Sequence, residues 1–338
     1  MAGQRPAPPG PPGAHFLRDR RLISRLAERS GAGPGSLVLD LGAGYGAITA
    51  ALAGTGARVI AIERDPRLAA RLRRRFAADP GVRVAETDLR SVPWPGREFL
   101  VVANPPFAGT TGLARRLLGD PAVPLAGAEL VLAWGAARWL AAARPRDEET
   151  AWWAARYQIR LIGRVAAASF APPPATDAAH LSIRPRPLNG LPGGPRALRG
   201  LLRAAWRDRS RPVELSLPGG RGADALRGAV RAAIGARTPA AELTADQWHQ
   251  VAVLITGARS PASPPQPAVA PRTGARSPAS PPRPAAGPRL SASQRWDRDP
   301  RPPPARRPPQ APRPGPNRPG PHRPRTAPAW PAAPINVS

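Results

Sequence analysis

The chain has 338 residues, 50 basic against 22 acidic side chains and a formal charge of +28. It lacks cysteine, which excludes disulfides and thiolate metal sites, and its histidines, His15, His180, His249 and His322, do not fall at metal-ligand spacing. No apolar run approaches the roughly 18 residues of a membrane span, and the Pro/Gly-rich start lacks a signal peptide's apolar stretch, so a cytoplasmic protein is expected.

Every basic side chain other than histidine is arginine. A GC-rich coding bias accounts for arginine in place of lysine but not for the surplus over acids, which suits a phosphate-rich polyanion such as RNA.

Residues 1–13 are expected to be disordered, and an amphipathic helix is predicted from Leu22 to Ala27, ahead of the breakers Gly31 to Gly35. Short apolar runs then recur at Leu37 to Leu41, Val59 to Ile62, Val82 to Ala85, Phe99 to Ala103 and Glu129 to Ala133. Helix-like stretches such as Ala47 to Ala53 and Arg67 to Ala78 separate them, and this alternation predicts an α/β fold with a doubly wound parallel sheet. Runs at Arg156 to Ala167 and His180 to Arg184 are expected to complete the sheet as an antiparallel edge around the Pro-rich loop Phe170 to Asp177. Arg196 to Thr256 has apolar positions at helical spacing and no strand alternation, so residues 188–256 are read as a small helical domain after a catalytic domain at 14–187. The tail, 257–338, holds a tandem repeat, Thr256 to Arg272 and Thr273 to Arg289, and its Pro/Arg/Ala/Ser composition cannot bury a core.

The loops after the strands carry the chemistry. Asp40-Leu41-Gly42-Ala43-Gly44-Tyr45-Gly46 closes the first run, and Glu63, 17 positions past Gly46, ends the second, where it can accept both hydroxyls of a ribose. The third glycine comes too early for the dinucleotide fingerprint, and Asp40 would repel a pyrophosphate while suiting a cationic ligand. S-adenosylmethionine, with its ammonium and sulfonium, is such a ligand. Asp88 follows the third strand and offers an acceptor for an adenine amino group; a helix cap is the alternative. Asn104-Pro105-Pro106-Phe107 follows the fourth. Its prolines leave no N–H between Asn104 and Phe107, so carbonyls, an amide and a ring face the site, as an exocyclic amine requires. The alternative is a Pro-rich turn closing a core strand. Trp134, Trp139, Trp152 and Trp153 are read as core; Arg71, Arg73, Arg74, Arg75, Arg203, Arg207, Arg209 and Arg211 are candidates for an RNA path or for a solvated face.

Taken together with His15-Phe16-Leu17-Arg18-Asp19, Thr110-Thr111, Arg115 to Leu118 and Ser169 to Ala178, these residues resemble the Erm ribosomal RNA adenine N6-methyltransferases, over about residues 14–256. The resemblance implies a Rossmann-like methyltransferase sheet and S-adenosylmethionine as cofactor. The implied substrate is an adenine of 23S ribosomal RNA, and the chain is expected to act as a monomer, without a metal. It also implies roles: His15 and Leu17 at the cofactor's methionine end, Gly42 and Gly44 against its backbone, Glu63 on its ribose, Asp88 on its adenine, and Asn104 also in cofactor contact. Asn104, Pro105 and Phe107 would then receive the target base, with Phe170 beside it. Two departures stand out: Pro105 where the family usually has Ile, a feature of general amino-methyltransferases, and Leu132 to Arg138 without the family's frequent Gln and Glu. Small-subunit dimethyladenosine transfer, DNA adenine methylation and non-catalytic nucleic-acid binding are the competing readings.

Overall fold

A computed structural model describes residues 14–186, 188, 194–220 and 222–257; the expected disordered start and the tail from residue 258 lie outside these residues. The first element, β1 (Phe16–Leu17), precedes α1 (Arg20–Ser30), which Asp19 caps by accepting from the Leu22 N–H. There follow β2 (Leu37–Leu41), α2 (Ala47–Ala53), β3 (Arg58–Glu63), α3 (Pro66–Arg75) and β4 (Val82–Glu86). The second half is β5 (Phe99–Ala103), α4 (Thr110–Leu118), β6 (Leu125–Ala133), α5 (Trp134–Leu140), α6 (Glu148–Arg156), β7 (Tyr157–Val165), β8 (Phe170–Ala171) and β9 (Ala178–Pro185). The helices α7 (Gly194–Arg207), α8 (Ala223–Ile234) and α9 (Ala245–Gly257) close the described chain.

Seven strands form one sheet in the order β4-β3-β2-β5-β6-β9-β7. The chain winds outward from β2 through β3 to β4, then returns to the far side of β2 for β5 and β6, so direction reverses between β2 and β5. These five strands are parallel, and β9 and β7 add the antiparallel edge expected from the sequence. In such sheets ligands bind outside the carboxyl ends of the strands at the switch point.

Alternation along β2 assigns the layers. Leu37, Leu39 and Leu41 join the cluster that includes α4, α5 and α6, while Val38 faces α1 and α2. Both faces are covered, which is why the strands read as continuous apolar runs. Helices α7, α8 and α9 enlarge the first cluster through Leu198, Leu202, Val230, Trp248 and Val251. Trp152 and Trp153 are buried beneath them, as core packing demands. A cationic joint ties these helices to the sheet layer: Arg156 donates to the Leu118 carbonyl at 2.9 Å and Arg199 to the Gly119 carbonyl at 2.6 Å, both at the C-terminal end of α4. Positive groups are favoured at that negative helix end.

Some strands run longer than their apolar cores. β6 starts at Leu125, four positions before the expected Glu129, because parallel pairing with β5 carries small residues such as Gly127. Conversely α3 stops at Arg75, short of the expected Ala78.

One charged cluster is sealed inside. Glu129 of β6 is wholly buried, with Oε1 accepting from Ser182 at 2.8 Å and Arg184 at 2.5 Å, and Oε2 2.5 Å from Nε2 of the buried His180. Burial opposes its ionisation, but these partners outweigh that and hold the carboxyl below its ordinary value. Removing one member strands the others, so Glu129→Ala should cost about 3–5 kcal/mol in urea unfolding. Arg203→Ala, which breaks the exposed pair with Glu148 at 3.7 Å, should cost under about 1 kcal/mol.

Candidate active site

The site begins with the loop between β2 and α2. Gly42 and Gly44 take φ of 79° and 56°, in the left-handed region that side chains avoid. A Cβ on Gly42 would lie 3.4 Å from Pro106 and 3.6 Å from Pro105, ordinary contact distances, so the two loops on either side of the switch point touch here and it is the positive φ that calls for glycine. A Cβ on Gly44 would meet the Phe16 ring at 2.8 Å. Phe16 thus lies across the loop and packs on Tyr45, ring centroids 4.6 Å apart. Arg71 sits over the other partner's ring, 5.0 Å from the Tyr45 centroid, and Arg75 donates to the Tyr45 carbonyl at 2.5 Å. Arg73 is paired with Glu86 at 2.9 Å. The α3 arginines therefore brace the loop and β4.

Glu63, the last residue of β3, is buried. Its Oε2 accepts from the Gly44 N–H and its Oε1 from the Asp65 N–H, each at 2.9 Å, which fixes the carboxylate beside the glycine loop. Each oxygen keeps a further lone pair for a hydroxyl. Asp40 lies on the α2 face of β2, where Thr49 donates to Oδ2 at 2.6 Å and Oδ1 has no partner. Burial, with a smaller contribution from the nearby Glu63 charge, pushes the Asp40 carboxyl up to about 7.

Asp88 is placed differently from its neighbours. It follows β4, whose end adjoins β3 through the Thr87 N–H to Glu63 carbonyl bond of 3.1 Å. Its carboxylate is chelated by Arg90, at 2.8 Å from the backbone N–H and 2.8 Å from Nη2, which lowers it to about 2. A helix cap was the alternative reading of this residue, but a turn and no helix follows Asp88, and Arg90 had no signal in the sequence beyond its proximity.

Asn104 sits at the centre. Its Nδ2 donates to the His15 carbonyl at 2.8 Å, and its Oδ1 is buried without a partner. A carbonyl can only accept, so this bond fixes which end of the amide is which. Pro105 is buried behind it, and the Phe107 carbonyl accepts from Thr110 at 3.1 Å. The Phe107 ring lies between His15, 5.7 Å away, and Phe170, 6.0 Å away and edge-on. Phe170 and His15 arrive from distant parts of the chain because β1 pairs antiparallel with β8, Phe16 opposite Ala171 and Leu17 opposite Phe170. Leu17 is buried in the α1 layer beneath this strap. The fold thus gathers His15, Leu17, Gly42, Gly44, Glu63, Asn104, Pro105, Phe107 and Phe170 around the switch point, with Asp88 at its rim. Phe16, Tyr45 and Thr49 join them unforeseen; an aromatic next to a glycine loop was the one available hint. At the stretch without the family's Gln and Glu, Trp134 opens α5, its N–H donating to the Asp177 carbonyl at 3.0 Å and Arg164 lying over its ring.

Sheet order, switch point and glycine loop define the class, a Rossmann-like methyltransferase fold. The crystal structure of the 23S rRNA methyltransferase ErmE shares it at a TM-score of 0.59 and 24% identity, over 71% of this chain and 99% of that one. A dimethyladenosine transferase from Plasmodium falciparum shares it at a TM-score of 0.54 and 16% identity, over 70% and 96%. The family model of ribosomal RNA adenine dimethylases matches residues 12–256, and the chain belongs to that family. Among curated relatives, the mycinamicin-resistance protein MyrB of Micromonospora griseorubida is 38% identical over 52% of this chain and 55% of its own length. An rRNA adenine N-6-methyltransferase of Streptomyces fradiae is 34% identical over 61% of each. The match to an rRNA adenine N-6-methyltransferase of Bacillus licheniformis, at 29% identity, spans 60% of that protein. The chain therefore covers little more than half the length of such relatives.

The donors fit S-adenosylmethionine. Glu63 offers free lone pairs beside the glycine loop, and the buried Asp40 carboxyl, unpartnered at Oδ1, keeps its proton up to about 7 and would ionise more readily beside a positive charge.

Without such a charge Asp40 weakens the fold as it ionises. A carboxyl raised from 3.8 to about 7 binds its proton more tightly folded than unfolded, so stability falls as pH climbs between these values. Urea titrations of the ligand-free protein should show a loss on the order of 4 kcal/mol from pH 4 to pH 8 from this group. Asp40→Asn should lack that component.

Proposed function

We propose that this protein transfers a methyl group from S-adenosylmethionine to N6 of a specific adenine in 23S ribosomal RNA, and thereby confers resistance to macrolides, lincosamides and streptogramin B. The observation that carries the reading is the Asn104 side chain, a buried amide whose nitrogen is satisfied and whose oxygen is not. A free acceptor at that place matches an N6–H donor. When bound, S-adenosylmethionine supplies an electrophilic methyl on a sulfonium. Glu63, Asp40 and the Gly42 to Gly44 backbone hold that group, with Asp88 reached once Arg90 releases it.

An adenine amino nitrogen is a poor nucleophile because its lone pair is delocalised into the ring. Hydrogen bonds from N6–H to Asn104 Oδ1 and to the Pro105 carbonyl favour the pyramidal form, and Phe107 stacks on the extruded base. Held this way beside the bound cofactor, N6 would take the methyl as the C–S electron pair returned to sulfur. The proton left on N6 passes to water, so no side chain is asked to act as base. Positioning carries the rate.

The reading assigns residues 14–187 to catalysis and 188–256 to RNA binding. In support, Arg203, Arg207 and Arg209 of and after α7 line an open groove of about 570 Å³ with Arg146 and Trp206, where four arginines outnumber the carboxylates Asp147 and Glu148. We further propose a cytoplasmic monomer that acts on RNA before or during subunit assembly. The relatives named for rRNA methylation and mycinamicin resistance support large-subunit RNA. The second reading is small-subunit dimethyladenosine transfer or DNA adenine methylation; Pro105, a feature of general amino-methyltransferases, points away from an RNA-specific box rather than to either RNA.

Expression in a susceptible host, followed by primer extension on both ribosomal RNAs, separates the two. A stop at the macrolide-site adenine together with resistance is expected; a stop confined to the small-subunit RNA sinks the large-subunit reading. Asn104→Ala should lower methyl transfer by about 100-fold or more while S-adenosylmethionine still binds in calorimetry. Retained activity in that variant would overturn the proposed chemistry.

A further inference from the structure

His15 stands where three parts of the pocket cross. Its carbonyl accepts from Asn104 Nδ2 at 2.8 Å, its ring Nδ1 lies 3.0 Å from the Pro172 carbonyl oxygen, and its ring packs against Phe107. The strap that carries it is short: β1 pairs with β8 through two residues, and beyond them the Arg18 N–H donates to the Ser169 carbonyl at 2.8 Å. That bond secures one end of the strap. The His15–Pro172 bond secures the other, next to Asn104.

The consequence concerns the direction of an amide. Rotation of the Asn104 amide by half a turn would place its NH2, a donor, where an N6–H donor must sit, and the two would repel. Only the His15 carbonyl forbids that rotation among the described hydrogen bonds of this side chain. We propose that His15 is a positioning residue of the target-base pocket: its Nδ1–H bond to Pro172 fixes the strap, so that its carbonyl locks Asn104 with Oδ1 facing the amine. The resemblance assigns His15 to the cofactor's methionine end. This inference moves it to the base side of the reaction, and rests on the adenine-methylation reading above.

Since a carbonyl can only accept, Nδ1 carries the hydrogen, and the neutral ring must be the Nδ1–H tautomer with Nε2 bare. The side-chain nitrogen of asparagine sits the same number of bonds from Cβ as Nδ1, so His15→Asn keeps the donor, whereas His15→Phe keeps a ring and loses it. With the full-length chain, His15→Phe should lower kcat for methyl transfer to a ribosomal RNA fragment by about tenfold or more. Its Kd for S-adenosylmethionine in calorimetry should stay within about twofold, and His15→Asn should recover most of the rate. Nitrogen-15 NMR of the ligand-free wild type should show His15 protonated at Nδ1. A protonated Nε2 with bare Nδ1 overturns the inference, as does a His15→Phe enzyme with full kcat and about tenfold weaker cofactor binding. A wild type that binds S-adenosylmethionine, shows the Nδ1–H tautomer and leaves all ribosomal RNA unmodified overturns the functional reading instead.

Discussion

A single bond, from the Asn104 amide to the His15 carbonyl, decides which end of that amide is left unpartnered, and the proposed chemistry depends on it. An asparagine side chain offers a donor and an acceptor of nearly equal size, and nothing intrinsic to it decides which faces a substrate. Here the decision is made by the main chain of His15, 89 residues away in sequence and next to β1. That strand in turn depends on β8 and on the switch between β2 and β5, where Gly42 lies against Pro105 and Pro106. The site is a property of the whole sheet edge.

The electrostatics of the edge run against those of the molecule. A protein of net charge +28 gathers Asp40, Glu63 and Asp88 at three neighbouring strand ends. Each carboxylate is managed by a different means. Glu63 is satisfied by backbone N–H groups, Asp88 by Arg90, and Asp40 by retaining its proton near neutrality. Under the proposed function, a basic exterior would draw a polyanion while the carboxyl-lined pocket takes a cation, so RNA and a positively charged cofactor need not compete.

Much of this was legible in the chain. Buried parallel strands announce themselves as unbroken apolar runs, and the elements Leu37–Leu41 and Phe99–Ala103 lie where those runs predict. The glycine loop, Glu63 and Asn104 were legible because each sits at a strand's end, where periodicity stops and chemistry starts. The remainder is non-local. No pattern in the sequence ties Phe16 to Ala171 or sets Glu129 between His180 and Arg184, since partners 155 or 51 positions apart leave no periodic trace. Likewise the start of β6 is set by its neighbour β5, which supplies the ladder that Gly127 alone would not sustain.

The two-residue pairing of β1 with β8 also imposes an order in time. Synthesis delivers His15 first, the glycine loop and Asn104 next, and Phe170 and Pro172 last, after six of the seven sheet strands have left the ribosome. Until then the strap has no partner and the aromatic wall has no second side. A nascent chain can therefore assemble most of its sheet while its pocket is still open, and the pocket becomes whole only when the chain is long enough to bring its beginning and its later part together.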